Sequence, residues 1–432
     1  MEPRGAAARR SRRTQRPRHL TLLAWLSPDG RKLLLTRVLR TFAYGYLAVV
    51  LAVYLARLGY DDVRIGLIVS AAVAGSAAMT VLWTLLADRV GRRRTVAVLS
   101  LLMAAGGLLF AAGSSFVLLL LAAFTGTISA TSSEVGAFVT VEQAILPETA
   151  PPERRTWLFS LYAFVANIAQ ALGALFAGVA GGIALGAGLE GADALRPLFV
   201  LYAVIGLLNL AIFSTLSDRV EVARVEGERR LLGIHRSRGI VARLSALFAL
   251  DAFAGALVVQ SIVAYWFDRR WGFTPQDLGL LFFGVNVLSA LSLLAAARLA
   301  HRIGLINTMV FTHIPSNVLL MLVPLMPTGA LAATCFLARM SISQMDVPTR
   351  QSYTMAVVDP DERVAAAGLT NVARGAGSTF APAITGYLFS LSALATPFFV
   401  AGGLKIAYDL LVYRGFRALR PPEERVARRP VP

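Results

Sequence analysis

Long apolar stretches, separated by short segments rich in charge, proline or glycine, dominate the pattern of hydrophobic and polar positions along this chain. Most stretches run for roughly 18 to 25 residues, and about 20 helical residues cross a hydrocarbon core near 30 Å thick. The pattern therefore predicts twelve membrane-spanning helices. The first six lie at 34–56, 64–87, 95–113, 116–140, 157–182 and 197–215, and the second six at 243–266, 275–298, 304–325, 329–348, 365–389 and 394–413.

The composition agrees with a membrane location. Of 432 residues, 56% are hydrophobic and 16% are charged, and the mean hydropathy is +0.64. Soluble domains carry about 25% charged residues, so too little polar surface remains here to cover a soluble globule. The predicted fold class is an all-α polytopic membrane protein with the lipid bilayer as its solvent.

Cysteine and histidine give no sign of a cofactor or a metal. Cys335 is the single cysteine and lies in an apolar stretch, so no intramolecular disulfide can form. The four histidines, at positions 19, 235, 301 and 313, lack the spacing of metal ligands. We predict neither a cofactor nor a metal site.

The positions of the basic residues predict the topology. The net charge of +17 would suggest a nucleic-acid partner in a soluble chain. If both termini are cytoplasmic, however, 32 of the 42 Lys and Arg residues fall in cytoplasmic segments and only five in outer loops. Because cytoplasmic loops retain basic residues, we predict a cell-membrane protein (plasma or inner membrane) with both termini cytoplasmic and no nucleic-acid partner.

Two similar halves are indicated by internal echoes. Leu86–Gly91 (LADRVG) recurs as Leu299–Gly304 (LAHRIG), each at the end of the second helix of its half, at an offset of 213 residues. A shorter echo, PER at 152–154 against DER at 361–363, has an offset of 209. Together they indicate a duplicated unit. The predicted domains are a basic tail (1–33), a six-helix bundle (34–215), a cytoplasmic linker (216–242), a second bundle (243–413) and a basic tail (414–432).

The stretch Leu86–Arg94 (LADRVGRRR) resembles the loop between helices 2 and 3 of the major facilitator superfamily. In that family the motif usually opens with glycine four residues before the aspartate, where this chain has Thr84. The resemblance implies two pseudo-symmetric six-helix bundles around a central cavity, which alternate between inward-open and outward-open states. It also implies a protein that works as a monomer.

The chemistry of this motif suggests a gate. Asp88, at a helix end, can cap a neighbouring helix N-terminus, and the arginines can reach a carboxylate on an adjacent helix. Glu142 is the expected carboxylate, and replacement of the aspartate by His301 in the second half weakens that latch. A purely structural loop is the alternative. The predicted gating residues are Asp88, Arg89, Gly91, Arg92, Glu142 and Arg302.

Ionisable residues inside predicted spans are candidate functional groups, because each costs about 2.5 to 3.5 kcal/mol on insertion scales. In span 10, a spacing of 4, 3 and 4 puts Arg339, Ser343, Asp346 and Arg350 on one helix face. Spans 1, 4, 7 and 10 line the cavity in the proteins that this chain resembles. That resemblance implies a lining formed by Arg37, Arg40, Tyr44, Glu134, Asp251, Gln260, Arg339 and Asp346.

Asp251 and Glu134 are the leading candidates for proton coupling, since an acid that alternates between water and an arginine can take up and release protons. The alternative for each is a static ion pair with Arg339 or Arg40. Lys405 and Asp409, four residues apart, are expected to neutralise each other on one helix.

Two transport functions follow from these residues. The first is proton-coupled export of a small molecule by alternating access. The second is uptake or exchange of an organic anion that Arg40 and Arg339 grip. An enzyme is not expected, because the sequence has no glycine-rich phosphate loop, no metal spacing and no nucleophile elbow.

Overall fold

A computed structural model of the chain describes residues 25–113, 115–131, 136–221, 236–359 and 362–417. Throughout these ranges the chain forms helices and connecting turns, without a strand. Glu134, most of both predicted tails and the centre of the predicted linker lie outside the described residues.

Sixteen α-helices make up the described chain, and they build the twelve predicted crossings. The first half contains α1 (Pro28–Arg57), α2 (Asp62–Val90), α3 (Arg92–Ala111), α4 (Phe116–Phe124), α5 (Ala137–Ile145), α6 (Arg155–Gly186) and α7 (Arg196–Ser214). The second half contains α8 (Arg238–Ala256), α9 (Gln260–Trp271), α10 (Pro275–Ile303), α11 (Leu305–Leu322), α12 (Gly329–Ser343), α13 (Asp346–Val357), α14 (Arg363–Ser378), α15 (Ala381–Ser390) and α16 (Thr396–Phe416).

Within the described residues, eight stretches are long and apolar enough by themselves to cross a membrane. They are α1, α2, α3, α6, α7, α8 with α9, α10 and α11. The other four crossings are α4 with α5, α12 with α13, α14 with α15, and α16, which carries two charges in its middle. The prediction of an all-α, twelve-helix membrane fold is confirmed.

Four of the predicted spans, numbers 4, 7, 10 and 11, are broken rather than continuous. Span 4 leaves the helix after Thr125, where Gly126 has a φ of +71°. Span 7 breaks at Val259, whose backbone is extended. Span 11 breaks just before Pro382, which has no N–H to donate to a continuing helix. The breaks of spans 4 and 7 meet, because the Ser261 N–H donates to the Ala130 carbonyl at 3.2 Å.

The two echoed motifs have the same backbone geometry. Gly91 joins α2 to α3 with a φ of +103°, and Gly304 joins α10 to α11 with a φ of +88°. Only glycine adopts such angles without strain. The sequence echo therefore marks equivalent turns in the two halves.

The two halves meet at the centre of the protein and at one of its faces. We call the side that holds residues 25 and 417 the terminal face, and the other side the opposite face. The hydrogen bonds and ion pairs between described residues of the two halves lie at the centre or at the opposite face. At the centre, the Gln170 amide donates to the Asn286 oxygen at 3.1 Å.

Two ion pairs between the halves close the opposite face, one with its acid in the first half and the other with its acid in the second half. Asp62 at the start of α2 receives the Tyr265 hydroxyl at 2.6 Å and pairs with Arg269. Arg57 at the end of α1 pairs with Asp268 at 2.7 Å. Each half thus contributes both a carboxylate and a guanidinium to the contact.

Gly66 and Gly386 allow α2 and α15 to approach each other closely beside these ion pairs. A Cβ at Gly66 would lie 2.7 Å from the Pro382 carbonyl oxygen and 3.0 Å from the Gly386 Cα. We expect Gly66→Val to disfavour closure of the opposite face by about 1 to 3 kcal/mol, the usual cost of overpacking. Labelling of a Ser70→Cys reporter in a Cys335→Ala background should accelerate accordingly, because Ser70 bonds to the Ala383 N–H in the closed contact.

The matched control is Gly403→Val on α16, since a Cβ at Gly403 meets nothing within 4 Å. Equal labelling rates in the Gly66 and Gly403 variants would show that this contact does not hold the face closed.

Candidate functional site

Asp251 on α8 is the centre of a buried charge cluster in the second half. Its side chain is 4% exposed and accepts from three cations on three other helices. Lys405 Nζ lies 2.6 Å from Oδ1, whereas the Nη1 atoms of Arg374 and Arg350 lie 3.0 and 3.2 Å from Oδ2. Both carboxylate oxygens are therefore occupied, and one negative charge ties α8 to α13, α14 and α16.

The guanidinium of Arg350 joins a second acid to this cluster. Arg350 Nη1 also donates to Asp346 Oδ2 at 2.8 Å, one turn earlier on α13, and its guanidinium lies over the Phe248 ring. Arg350 lies beyond residue 348, the predicted end of span 10, but the structure buries it inside the bundle. The expected stripe on span 10 is likewise divided, because the helix breaks between Ser343 and Asp346.

Arg374, for which the sequence predicted no role, is the most solvent-exposed member of the cluster. Its side chain is 30% exposed, the largest exposure among the partners of Asp251. The next residue, Gly375, approaches α2 so closely that an added Cβ would lie 2.9 Å from the Ala77 Cβ. The cluster thus reaches from the interior of the second bundle to the boundary between the halves.

Lys405 and Asp409 do not neutralise each other, contrary to our expectation. Lys405 turns to Asp251, and Asp409 turns to α11, where His313 Nδ1 lies 2.9 Å from its Oδ1 and the Asn317 amide donates at 3.4 Å. The reason is that Asp251 and His313, on other helices, compete with the i, i+4 neighbour for these two side chains. A buried partner on another helix interacts more strongly, because the effective dielectric constant is lower there.

In the first half, the buried carboxylate that pairs with a cation on another helix is Glu142 on α5. Its carboxylate is fully buried and receives Arg40 Nη2 at 2.6 Å, the Tyr162 hydroxyl at 2.5 Å and the Thr36 hydroxyl at 3.2 Å. The Arg40 guanidinium also lies 4.3 Å from the Phe138 ring centroid. We expected Glu142 to pair with Arg89 or Arg92, but both of its oxygens are directed into the bundle instead.

The loop that resembles the family motif is closed by a different carboxylate. Glu221, just beyond α7, accepts the backbone N–H groups of Arg92 and Arg93 at 2.8 and 3.0 Å. It thereby caps the first turn of α3, the role expected for Asp88, whose side chain lies outside the described residues. Arg92 Nη1 donates to the Ala144 carbonyl. Arg89 and Arg302 are exposed.

The remaining predicted cavity residues are spread over three helices. Tyr44 on α1 is buried against Tyr202, with ring centroids 6.2 Å apart. Arg37 lies over the Tyr162 ring at 4.4 Å. Gln260 begins α9, and its amide nitrogen is buried without a hydrogen-bond partner.

Arg339 on α12 differs from the other buried arginines. Its Nη1 donates to the Met340 sulfur at 3.0 Å, its guanidinium carbon lies 5.8 Å from the Phe336 ring centroid, and its Nε is buried without a hydrogen-bond partner. Across the described ranges, the carboxylates of the cluster bind Arg350, Arg374 and Lys405 and leave Arg339 aside.

Two six-helix bundles with charged groups buried inside them define a secondary transporter rather than an enzyme. The sequence matches the profile of the Major Facilitator Superfamily over residues 33–382, and the chain belongs to that superfamily. The prediction made from the Leu86–Arg94 motif is confirmed.

Similar proteins extend over nearly the whole chain. Uncharacterized membrane protein YJR124C of Saccharomyces cerevisiae is 26% identical over 418 residues, which cover 89% of this chain and 93% of that protein. Among solved structures, the nucleoside transporter NupG has a TM-score of 0.71 at 13% identity and covers 90% of this chain and 99% of its own. A bacterial homologue of the lysosomal transporter Spinster, in an inward-facing and occupied conformation, has a TM-score of 0.70 at 16% identity, with coverage of 91% and 97%.

The Glu142 contacts lead to a stability prediction. Glu142→Gln removes the charge that balances Arg40 in a fully buried site, and we expect a loss of about 3 to 5 kcal/mol in the free energy of unfolding, measured in detergent. The double variant Arg40→Gln, Glu142→Gln should lose less than the sum of the two single losses, because the charges are coupled.

Asp61→Asn serves as the control, since Asp61 is 59% exposed and pairs only with its neighbour Arg64 on the surface. Little change is expected there. Strictly additive losses in the Arg40 and Glu142 variants would contradict the coupling.

Proposed function

We propose that this secondary transporter is proton-coupled and carries a small molecule, with Asp251 as the group that takes up and releases the proton. The observation that carries the proposal is the concentration of three cations on one buried carboxylate, each from a different helix. These cations favour the charged carboxylate, so Asp251 would take up a proton in an arrangement that moves them away and would release it when they return. A D-xylose–proton symporter is among the proteins of similar fold, with a TM-score of 0.67 at 15% identity and coverage of 89% of this chain and 97% of its own.

Protonation of Asp251 would change the balance of forces in the second bundle. With its charge, the carboxylate attracts Lys405, Arg350 and Arg374 in a medium of low effective dielectric constant. Without it, Asp346 still pairs with Arg350, but Lys405 and Arg374 lose their carboxylate partner, so the ion pairs that tie α8 to its neighbours are lost. A protonation state that changes the relative energy of two arrangements can shift a conformational equilibrium.

Arg374 offers the path for the proton. It is the most exposed partner of Asp251 and lies beside the boundary between the halves. Rocking of the halves would therefore open or close access of water to this edge. Glu134, outside the described residues, remains the second proton site that the sequence predicts.

Proton coupling can be measured as substrate-dependent pH change in proteoliposomes that contain a pH-sensitive dye. We expect Asp251→Asn to reduce this proton movement about tenfold or more, because the amide cannot take up the proton. The control Asp193→Asn, at an exposed pair with Arg196, should keep it. Substrates are found by applying a panel of organic cations, neutral sugars and organic anions.

Normal proton movement in both Asp251→Asn and Glu134→Gln would overturn the assignment of the coupling acids. The same recordings of the pH-sensitive dye give the direction of transport. Export is the direction that we propose, with uptake or exchange of an organic anion as the alternative, and filling the vesicles with substrate tests export directly.

We further propose that the protein lies in the cell membrane with its terminal face toward the cytoplasm, which the distribution of Lys and Arg supports. Two cysteine reporters in a Cys335→Ala background test this. On intact cells, an impermeant maleimide should label Ala187→Cys, on the exposed turn after α6, but should label Gly415→Cys only after permeabilisation. The reverse pattern would invert the topology.

A further inference from the structure

Arg339 is a cation in a membrane span for which the described part of the chain supplies no carboxylate partner. Its near neighbours are a thioether and a phenyl ring, and its Nε is buried with no acceptor. An arginine in a span is costly unless it faces a water-filled space or an anion. Among the described residues, Arg339 therefore lacks an opposite charge of its own.

The nearby acids cannot supply that charge. Asp346 and Asp251 are the carboxylates that act on Arg339 electrostatically, but Arg350 already holds the first and three cations already hold the second. Among the described residues around this point, four cations face two carboxylates. The next acid, Asp409, is bound by His313 and Asn317.

This surplus of positive charge favours an anionic substrate over a cationic one. A cationic substrate would have to displace or approach the cations that already hold Asp251 and Asp346. An anionic substrate needs a guanidinium with free N–H groups, and these can hold a carboxylate or a phosphate with two parallel hydrogen bonds. Arg339 has such groups, whereas Arg40, the other arginine expected to grip an anion, is held by Glu142.

We propose that the transported molecule is a small organic anion that binds Arg339 through its carboxylate or phosphate group, and that it binds together with the proton on Asp251. The second part rests on the proposed proton coupling. When Asp251 is protonated, Arg350, Arg374 and Lys405 lose a shared negative charge, so the region attracts an anion more strongly. Anion and proton then move in the same direction, and export would carry acid out of the cell.

Ligand-induced stabilisation of the purified full-length protein in detergent tests the anion site without requiring transport. The probes are lactate, succinate, benzoate and glycerol 3-phosphate, compared with choline and glucose at constant ionic strength. We expect at least one anion to raise the melting temperature, with tighter binding at pH 5.5 than at pH 8, and the cation and the sugar to have no effect. Stabilisation by choline or glucose alone, or by none of the probes, overturns the proposal.

The variants separate binding from folding. Arg339→Gln should weaken binding of that anion about tenfold or more, equivalent to about 1.4 kcal/mol, and Arg339→Lys should weaken it less because it keeps the charge. Without ligand, Arg339→Gln should melt no lower than the unmodified protein, since it loses only weak contacts with a sulfur and a ring and relieves the burial of a charge that no described carboxylate balances. Arg64→Gln, at an exposed pair on the opposite face, should bind normally.

A lower melting temperature of Arg339→Gln with unchanged anion affinity would show that Arg339 is structural and would overturn the proposal. Asp251→Asn should keep anion binding but lose its dependence on pH. Anion binding that depends on Arg339, in a protein that moves no protons, would leave the anion site standing and refute the proton coupling. The failures of the two proposals are thus distinguishable.

Discussion

The central constraint on this protein is that an ionised group in the membrane interior must find a partner of opposite charge. Each bundle meets it around one carboxylate, Glu142 in the first half and Asp251 in the second. Glu142 is matched by one arginine and two hydroxyl groups, whereas Asp251 is shared by three cations. Arg37, buried over the ring of Tyr162, adds a second cation to the first arrangement. The second arrangement differs because one carboxylate joins cations from three other helices and because its edge at Arg374 is 30% exposed, and this is why we place the chemistry in the second half.

A related constraint acts at the helix ends on the terminal face, where backbone N–H groups have no partner within their own helix. Glu221 accepts the first N–H groups of α3, and Glu362 accepts those of Arg236 and Ser237 just before α8. These two acids lie in the connections that follow α7 and precede α14. Each half therefore uses a carboxylate from a loop to fix the start of one of its helices, and the segment between the halves is attached at both of its ends.

The features that could be read from the sequence are those that depend on local pattern. The apolar stretches gave the crossings, and the repeated LA-x-R-x-G pattern gave the equivalent turns at Gly91 and Gly304. The ion-pair partners of the buried charges could not be predicted from the sequence, because they depend on how helices distant in sequence are rotated against one another. Lys405 lies 154 residues from Asp251 and Arg40 lies 102 residues from Glu142. The i, i+4 spacing of Lys405 and Asp409 suggested a local pair for the same reason, since spacing does not reveal a stronger partner on another helix.

The difference between buried and exposed ion pairs also bears on how the halves could move. Within the bundles, Glu142, Asp251 and their ion-pair partners other than Arg374 are at most 9% exposed, so separating them would leave charge in a medium that solvates it poorly. At the opposite face, Arg57 is 40% exposed and Arg269 is 32% exposed in their pairs with Asp268 and Asp62. Water and salt reach such pairs, and each contributes about 1 kcal/mol or less. Contacts within a half are therefore much harder to break than contacts between halves at that face, which is the condition under which two bundles rock as nearly rigid bodies.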